Sequence, residues 1–336
     1  MSPPLHLLAR PEPERIPADP AAFLAQLPGP CAFHVPGRDH TRHRVVTTLL
    51  HGNEPSGLRA IHAWLRSGAR PACDAVLVVA NVPAARSAPL FGHRSRPGGR
   101  DLNRCFLGPF DDAEGRLARA ILERVREAPT EALIDIHNNT GHNPPYGVGV
   151  HASPEALQLV ALFGERFVLS HLRLGALMEA VPELPSATIE VGRSGDPAAD
   201  AIALRGLTHF LERDPVIEPG KRPEIALLLH PMRVCIRAGV SLAVGDVPQP
   251  DAELTIRGDL DRHNFESIAP GTPLGWVRGS QWPLELLDEE AVDRAPLYFE
   301  LADGEIRARR AMIPIMITTS PAIATSDCLF YIVREA

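Results

Sequence analysis

The chain is nearly without lysine: Lys221 stands alone against 33 arginines. This imbalance reads as codon bias in a GC-rich genome rather than as function, and the 34 prolines fit the same bias. Cysteines are few. Cys31, Cys73, Cys105, Cys235 and Cys328 are odd in number, scattered and never spaced as CxxC, which argues against a disulfide framework and against a structural zinc site. No run of about 18 apolar residues exists, so no membrane-spanning helix is expected. The N-terminus shows no unbroken apolar stretch of secretory length. A net charge of −7 provides no bulk field that favours nucleic acid or an anionic membrane. The phosphate-cradling loops GxGxxG and GxxxxGKS are missing. Ser194 is no nucleophile elbow, because Asp196 stands where the second glycine is needed. Together these absences leave a reducing, cytoplasmic setting and a small-molecule partner as the default expectation.

What is present suits a globular protein. A length of 336 residues with 45% hydrophobic and 22% charged residues sets an expectation of about two domains. Residues 1–40 are proline-rich and weakly periodic, a lead-in with a short helix near 21–27. From 44 to about 215, strand-like and helix-like patterns alternate. Strands are expected at 45–50, 75–80, 132–136, 147–150, 167–169 and 187–191, and helices at 55–66, 112–126, 154–163 and 197–211. Such alternation predicts an α/β layer fold with a largely parallel sheet. Residues 214–222 turn rich in proline, glycine and charge, as a linker does. Beyond them the helical pattern fades into short strand-like runs at 225–229, 233–237, 253–257, 274–278, 297–301 and 312–317. The reading is a catalytic domain over 1–218 and a smaller β-rich domain over 219–336.

The chemistry gathers at the ends of the expected strands. His51-Gly52-Asn53-Glu54 follows the apolar run 45–50, and Pro55 suits the first turn of the next helix. Arg96 precedes Asp101-Leu102-Asn103-Arg104 in a glycine-rich loop. Ile134-Asp135-Ile136-His137 ends a second strand in a histidine, and Thr188-Ile189-Glu190-Val191 puts a carboxylate inside an otherwise buried strand. In open α/β sheets this strand edge is where ligands bind. Two histidines and one carboxylate, with a fourth position left to water, define a catalytic zinc site, and His51, Glu54 and His137 can supply that set. Cobalt or manganese can use the same ligands. A further carboxylate, off the metal, is needed to take the proton of the water, and Glu190 suits this role because a buried glutamate needs a partner or a purpose. Arg96 can stabilise an oxyanion, and Asn103 with Arg104 can clamp a carboxylate. His93, His142 and His151 are weaker candidates as ligands. Cys105 is an alternative nucleophile, but it is expected to point into the core.

Taken in order, these four motifs resemble the succinylglutamate desuccinylase/aspartoacylase family of the zinc-carboxypeptidase-like superfamily, over about residues 44–195. The resemblance implies a zinc-carboxypeptidase-like domain followed by the family's smaller β-rich C-terminal domain, one Zn2+ per chain, and hydrolysis of an N-acyl amino acid. It implies His51, Glu54 and His137 as zinc ligands, Glu190 as general base, Arg96 as the arginine that polarises the carbonyl, and Asn103 and Arg104 as the grip on the substrate carboxylate. The two histidines stand 86 positions apart, 137 against 51, a compact spacing that looks like the deacylase branch. Two departures stand out. The residues just before Glu190 include no arginine, the nearest upstream being Arg173, and no C-terminal tyrosine aligns with the family's substrate tyrosine, Tyr298 being the candidate. Rival readings are a metallocarboxypeptidase acting on peptide C-termini and a non-catalytic protein that binds a small carboxylate. A homo-oligomer stays open.

Overall fold

The structure, a computed structural model, describes residues 4–127, 129–279, 281–288 and 292–336, with residue 326 described by its backbone alone. It comprises two compact units. The first takes in the chain up to Asn138, then Pro145–Phe167 and Arg173–Ile225. The second takes in Asn139–Pro144, Val168–Leu172 and Ala226–Ala336. Residue 218, where the sequence places the break, lies inside the first unit.

The elements up to Ile225 are β1 (His6–Ala9), α1 (Pro20–Gln26), β2 (Cys31–Val35), β3 (Asp39–Thr48), α2 (Ser56–Arg66), β4 (Cys73–Val79), α3 (Val82–Arg86), α4 (Ala113–Val125), β5 (Thr130–Asn139), β6 (Tyr146–Gly149), α5 (Pro154–Val160), β7 (Arg166–Leu169), α6 (Leu177–Ala180), β8 (Ser186–Arg193) and α7 (Pro197–Glu212). The sheet of the first unit runs β1-β2-β4-β3-β5-β8-β6. β3 lies parallel to both neighbours, with Val46 opposite Leu77 on one side and Ile134 on the other. β2 against β4 and β6 against β8 are antiparallel, which makes the sheet mixed. The expected α/β architecture, a largely parallel sheet flanked by helices with a β-rich C-terminal part, is the one observed. β1 and β2 extend the sheet into the segment that the sequence reads as a mere lead-in.

Strand and helix faces account for the core. Val45, Val78 and Leu133 pack with Leu117, Ile121 and Leu122 of α4 and with Phe106. Each such buried aliphatic side chain contributes about 1.5–3 kcal/mol. α4 begins at Asp112, whose carboxylate accepts from Gly115 N (2.7 Å) as an N-cap. α2 packs on α7, and its first turn presses so closely on β3 that a Cβ at Gly57 would lie 2.0 Å from Thr48 Oγ1. A side chain at Gly57 would push the helix off the sheet, and Glu54, which leads into this turn, with it.

In the second unit, β9 (Ala226–Ile236) pairs antiparallel with β17 (Phe330–Glu335) and with β13 (Leu284–Leu287), and β17 pairs with β16 (Ile313–Ile315). A five-stranded sheet follows the order β10-β11-β12-β15-β14, formed by Leu242–Gly245, Leu254–Arg257, Pro273–Val277, Glu305–Ala308 and Phe299–Ala302. Short helices α8 (Ala295–Tyr298) and α9 (Pro321–Ser326) complete it. Leu254, Ile256, Leu286, Ile306, Phe299 and Phe330 fill its core. The runs 225–229 and 233–237 are one strand: β9 continues through Pro231, with His230 at φ +53° and an irregular register against β17. The run 297–301 divides instead between α8 and β14. Lys221 is exposed and pairs with Glu218 (Nζ to Oε1, 2.7 Å). No described helix is long and apolar enough to cross a membrane.

Candidate metal centre

β3 ends at Thr48, and the chain turns sharply. Leu49, fully buried, takes φ +56°, a conformation rare for a non-glycine side chain and characteristic of functional turns. The turn carries His51 to the strand edge. Gly52 fits tightly behind it, since a Cβ there would lie 2.5 Å from Ala85 N of α3. Its N–H donates to Arg94 O (2.9 Å), which ties the loop 94–104 to the same edge. Glu54 follows before α2. β5, the neighbour of β3, brings His137 alongside.

His51, Glu54 and His137 form the group among the described residues that can hold a metal ion: one donor atom from each lies within 4.8 Å of the others, and all three residues are buried. Glu54 sits in the middle, with Oε1 2.8 Å from His51 Nδ1 and Oε2 2.7 Å from His137 Nδ1. On their far sides the two rings meet carboxylates again: His51 Nε2 lies 3.1 Å from Asp101 Oδ1, and His137 Nε2 2.7 Å from Asp135 Oδ2. A neutral imidazole that donates from Nε2 presents a bare lone pair at Nδ1. Two such lone pairs facing one ionised carboxylate need a proton or a cation among them. The donor set therefore fits a divalent ion, with Asp101 and Asp135 fixing the orientation of the ligands.

Further contacts hold the frame. Thr47 Oγ1 donates to Asp135 Oδ1 (2.5 Å), and Asn138 N donates to Glu54 Oε2 (3.3 Å). Asn138 Oδ1 accepts from Ser56 N (3.0 Å) at the start of α2. Burial opposes charge on Glu54, but the two imidazoles override it and hold its carboxyl well below the usual range. Asp101 is likewise held low, with His51 and then Arg94 outweighing burial. On His137 burial acts downward, but Asp135 and Glu54 raise the imidazole well above its ordinary value.

Glu190 lies in β8, the strand next to β5. Its side chain is partly exposed, yet crowded surroundings push the carboxyl up to about 8, against the pull of His137, with Glu54 and Asp135 adding to the rise. Asn103 and Arg104 sit in a single 3-10 turn, Leu102–Arg104, capped by Asp101. Asn103 Oδ1 accepts from Leu177 N (3.1 Å), and Arg104 Nη1 donates to Asn103 O (3.0 Å). Arg96 is not brought to the metal group. Its guanidinium pairs with Glu114 Oε1 of α4 (3.0 Å), because the turn over Pro97, Gly98 and Gly99 leads it away. Arg94 lies at the group: its Nη2 is 2.9 Å from Asp101 Oδ2 and its Nη1 3.9 Å from Glu54 Oε1. Sequence reasoning missed Arg94, Asp101 and Asp135 in these parts. The signal for Asp135 was available, since a strand residue two before a ligand shares its face. His93, His142 and His151 are not in the metal group. Cys105 is buried, as expected, and its thiol is raised to about 11 by burial, the opposite of a nucleophile's environment.

The class is thus an α/β fold that carries a histidine–glutamate–histidine group at its strand edge. The family model for the succinylglutamate desuccinylase/aspartoacylase catalytic domain matches residues 41–208, half of the chain, and the chain belongs to that family. Solved structures of similar fold include a succinylglutamate desuccinylase/aspartoacylase from Rhodobacter sphaeroides, 17% identical over 90% of this chain and 88% of that one, with a TM-score of 0.56. The succinylglutamate desuccinylase of Vibrio parahaemolyticus is 12% identical over 95% of both chains, at a TM-score of 0.59. Murine aminoacylase 3 is 16% identical over 89% of this chain and 97% of that one, at 0.51. No curated protein matches the sequence.

Proposed function

We propose that the chain is a zinc-dependent amidohydrolase that cleaves the amide bond of small N-acyl amino acids. Family membership supports the reaction class. The observation that carries the metal is Glu54 held between two histidine Nδ1 atoms, each ring backed by its own carboxylate. His51, Glu54 and His137 would hold one divalent ion. When bound, it supplies Lewis acidity that makes a water more acidic and polarises a carbonyl. Glu190 takes a proton from the attacking water and returns it to the amine as the carbon–nitrogen bond breaks. Its place on the strand beside β5, within electrostatic reach of His137 and Glu54, supports this role. Arg94 assumes the oxyanion-stabilising role that the spacing of the sequence assigns to Arg96. Asn103 and Arg104 hold the substrate carboxylate, a planar guanidinium being matched to two oxygens. A cytoplasmic setting agrees with the five cysteines, which are all free thiols.

The test is free-amine release by zinc-loaded protein from a panel of N-acyl amino acids, with C-terminal dipeptides alongside. Acyl amino acids are expected to turn over and dipeptides not; turnover of dipeptides alone would shift the protein to peptidase chemistry. Glu190→Ala should keep about one zinc per chain and lower turnover by about 100-fold or more, so near-normal turnover would remove Glu190 from its role. His137→Ala should abolish stoichiometric zinc.

A further inference from the structure

The end of β8 is fastened to the turn that carries the metal ligands. Gly192, two residues after Glu190, takes φ +119°, a conformation that residues with a side chain rarely adopt. Its carbonyl accepts from Asn138 Nδ2 (3.1 Å). Asn138 follows His137 on β5 and is buried. The same Nδ2 donates to Ser56 Oγ (2.9 Å), and Asn138 Oδ1 accepts from Ser56 N (3.0 Å). Ser56, fully buried, opens α2 two residues after Glu54. One carboxamide therefore joins three segments: the strand of Glu190, the strand of His137 and the helix start behind Glu54. A second tie runs beside it, from Ser194 Oγ to Asn53 O (2.8 Å).

The direction of these bonds is imposed from α7. Ser56 Oγ donates to Asp200 Oδ1 (2.6 Å), and Asp200 Oδ2 accepts from Arg59 Nη1 (2.7 Å). A carboxylate held by a guanidinium only accepts, so the single hydroxyl proton of Ser56 goes to it. The hydroxyl oxygen then accepts in turn, which points the NH2 of Asn138 at Ser56 and leaves its second proton for Gly192 O. An apolar or acidic side chain of the same size would take this donor away from the buried Gly192 carbonyl, at a cost. Glu190 and the metal ligands sit on opposite sides of this junction. A shift of about 1 Å between reacting groups costs up to about 100-fold in rate.

We propose that Asn138 is a positioning residue: its carboxamide, oriented by the Ser56–Asp200 pair, fixes the end of β8, and with it Glu190, against the metal-ligand turn. This rests on the amidohydrolase reading above. The test is a double-mutant cycle on the full-length, zinc-loaded protein. Asn138→Ala should lower kcat by about tenfold or more, while KM and zinc affinity stay within a few-fold. In the Glu190→Ala background the same change should lower kcat by less than about twofold, because the base that it positions is gone. An equal fall in both backgrounds, an unchanged kcat in the parent background, or a loss of zinc affinity as large as the loss of kcat overturns the assignment. Near-normal turnover by Glu190→Ala alone overturns the base and its positioning together, and is recognised because Asn138 is intact in that protein. If Asn138→Ala lacks a cooperative thermal melt, Ser56→Ala goes through the same cycle, with an expected fall of about threefold that again vanishes without Glu190. If no amide turns over, the hydrolase reading fails, and the tie is judged by hydrogen exchange of zinc-loaded parent and Asn138→Ala protein. Exchange of β8 should then quicken by about tenfold with α4 unchanged. An unchanged β8, or an α4 that quickens equally, overturns the tie.

Discussion

Asp135 provides the sharpest test of the metal centre, because it is not itself a ligand and yet should set zinc affinity. Its Oδ2 lies 2.7 Å from His137 Nε2, its Oδ1 accepts from Thr47 Oγ1 (2.5 Å), and the residue is 2% exposed. Two effects run through that contact: the carboxylate fixes the ring so that Nδ1 faces Glu54, and its charge makes Nδ1 a better donor. Asp135→Asn keeps an oxygen for Nε2–H and an amide for the Thr47 hydroxyl, so it retains orientation and removes charge. Asp135→Ala removes both. Changes of this kind around a metal site weaken binding by about 10–100-fold. The asparagine variant belongs at the lower end, a tenfold loss equal to about 1.4 kcal/mol, and the alanine variant at the upper. Competition with a chromogenic chelator at fixed pH measures both, with thermal melts of the metal-free proteins to confirm folding. If Asp135→Ala binds zinc as tightly as the parent chain, the far-side carboxylates do not position the ligands, and the assignment of His137 through its Nδ1 fails with them.

Arg94→Ala should lower kcat by about 100-fold or more, whereas Arg96→Ala should stay within a few-fold of the parent, since it loses an exposed pair with Glu114; steady-state kinetics on the best panel substrate decides between the two arginines. The N-cap of α4 should respond to acid. Bonds from Arg100 and from Gly115 N hold the Asp112 carboxyl near 2, below its value of about 4 in an unfolded chain. Its contribution to stability is therefore present above pH 4 and lost as pH falls through 2. Urea melts of parent and Asp112→Ala protein should differ by a constant amount from pH 7 to 5 and converge toward pH 2; a gap that stays constant down to pH 2 would contradict the cap.

The sequence made the centre of the fold legible because the physics there is local. β-branched runs at 45–50 and 132–136 mark fully buried parallel strands, and a histidine at the close of each marks the edge where ligands collect. The HxxE spacing bridges a strand end and a helix start, which suffices to place His51 and Glu54 together. What was not legible depends on partners far apart in the chain. Cys31–Val35 is short and interrupted by His34, and it becomes a strand because β4 lies beside it. β9 reads as two runs because Pro231 lacks an amide donor, and only its pairing with β17 and β13 shows it to be continuous. Arg96 was assigned by counting back from Asp101, but counting cannot register that a proline–glycine–glycine turn reverses the chain and sends the side chain to α4. Asp101 reads as part of a substrate motif, and only the fold shows its carboxylate against the ring of His51.

The lone Lys221 has a practical consequence. A deacylase of amino acids releases a primary amine, and amine-reactive dyes are the direct way to see it. In most enzymes a field of surface lysines reacts as well and raises the blank. Here one exposed side-chain amine is the whole lysine background, so product can be followed at high enzyme concentration and slow, poorly matched substrates come within reach of the same readout.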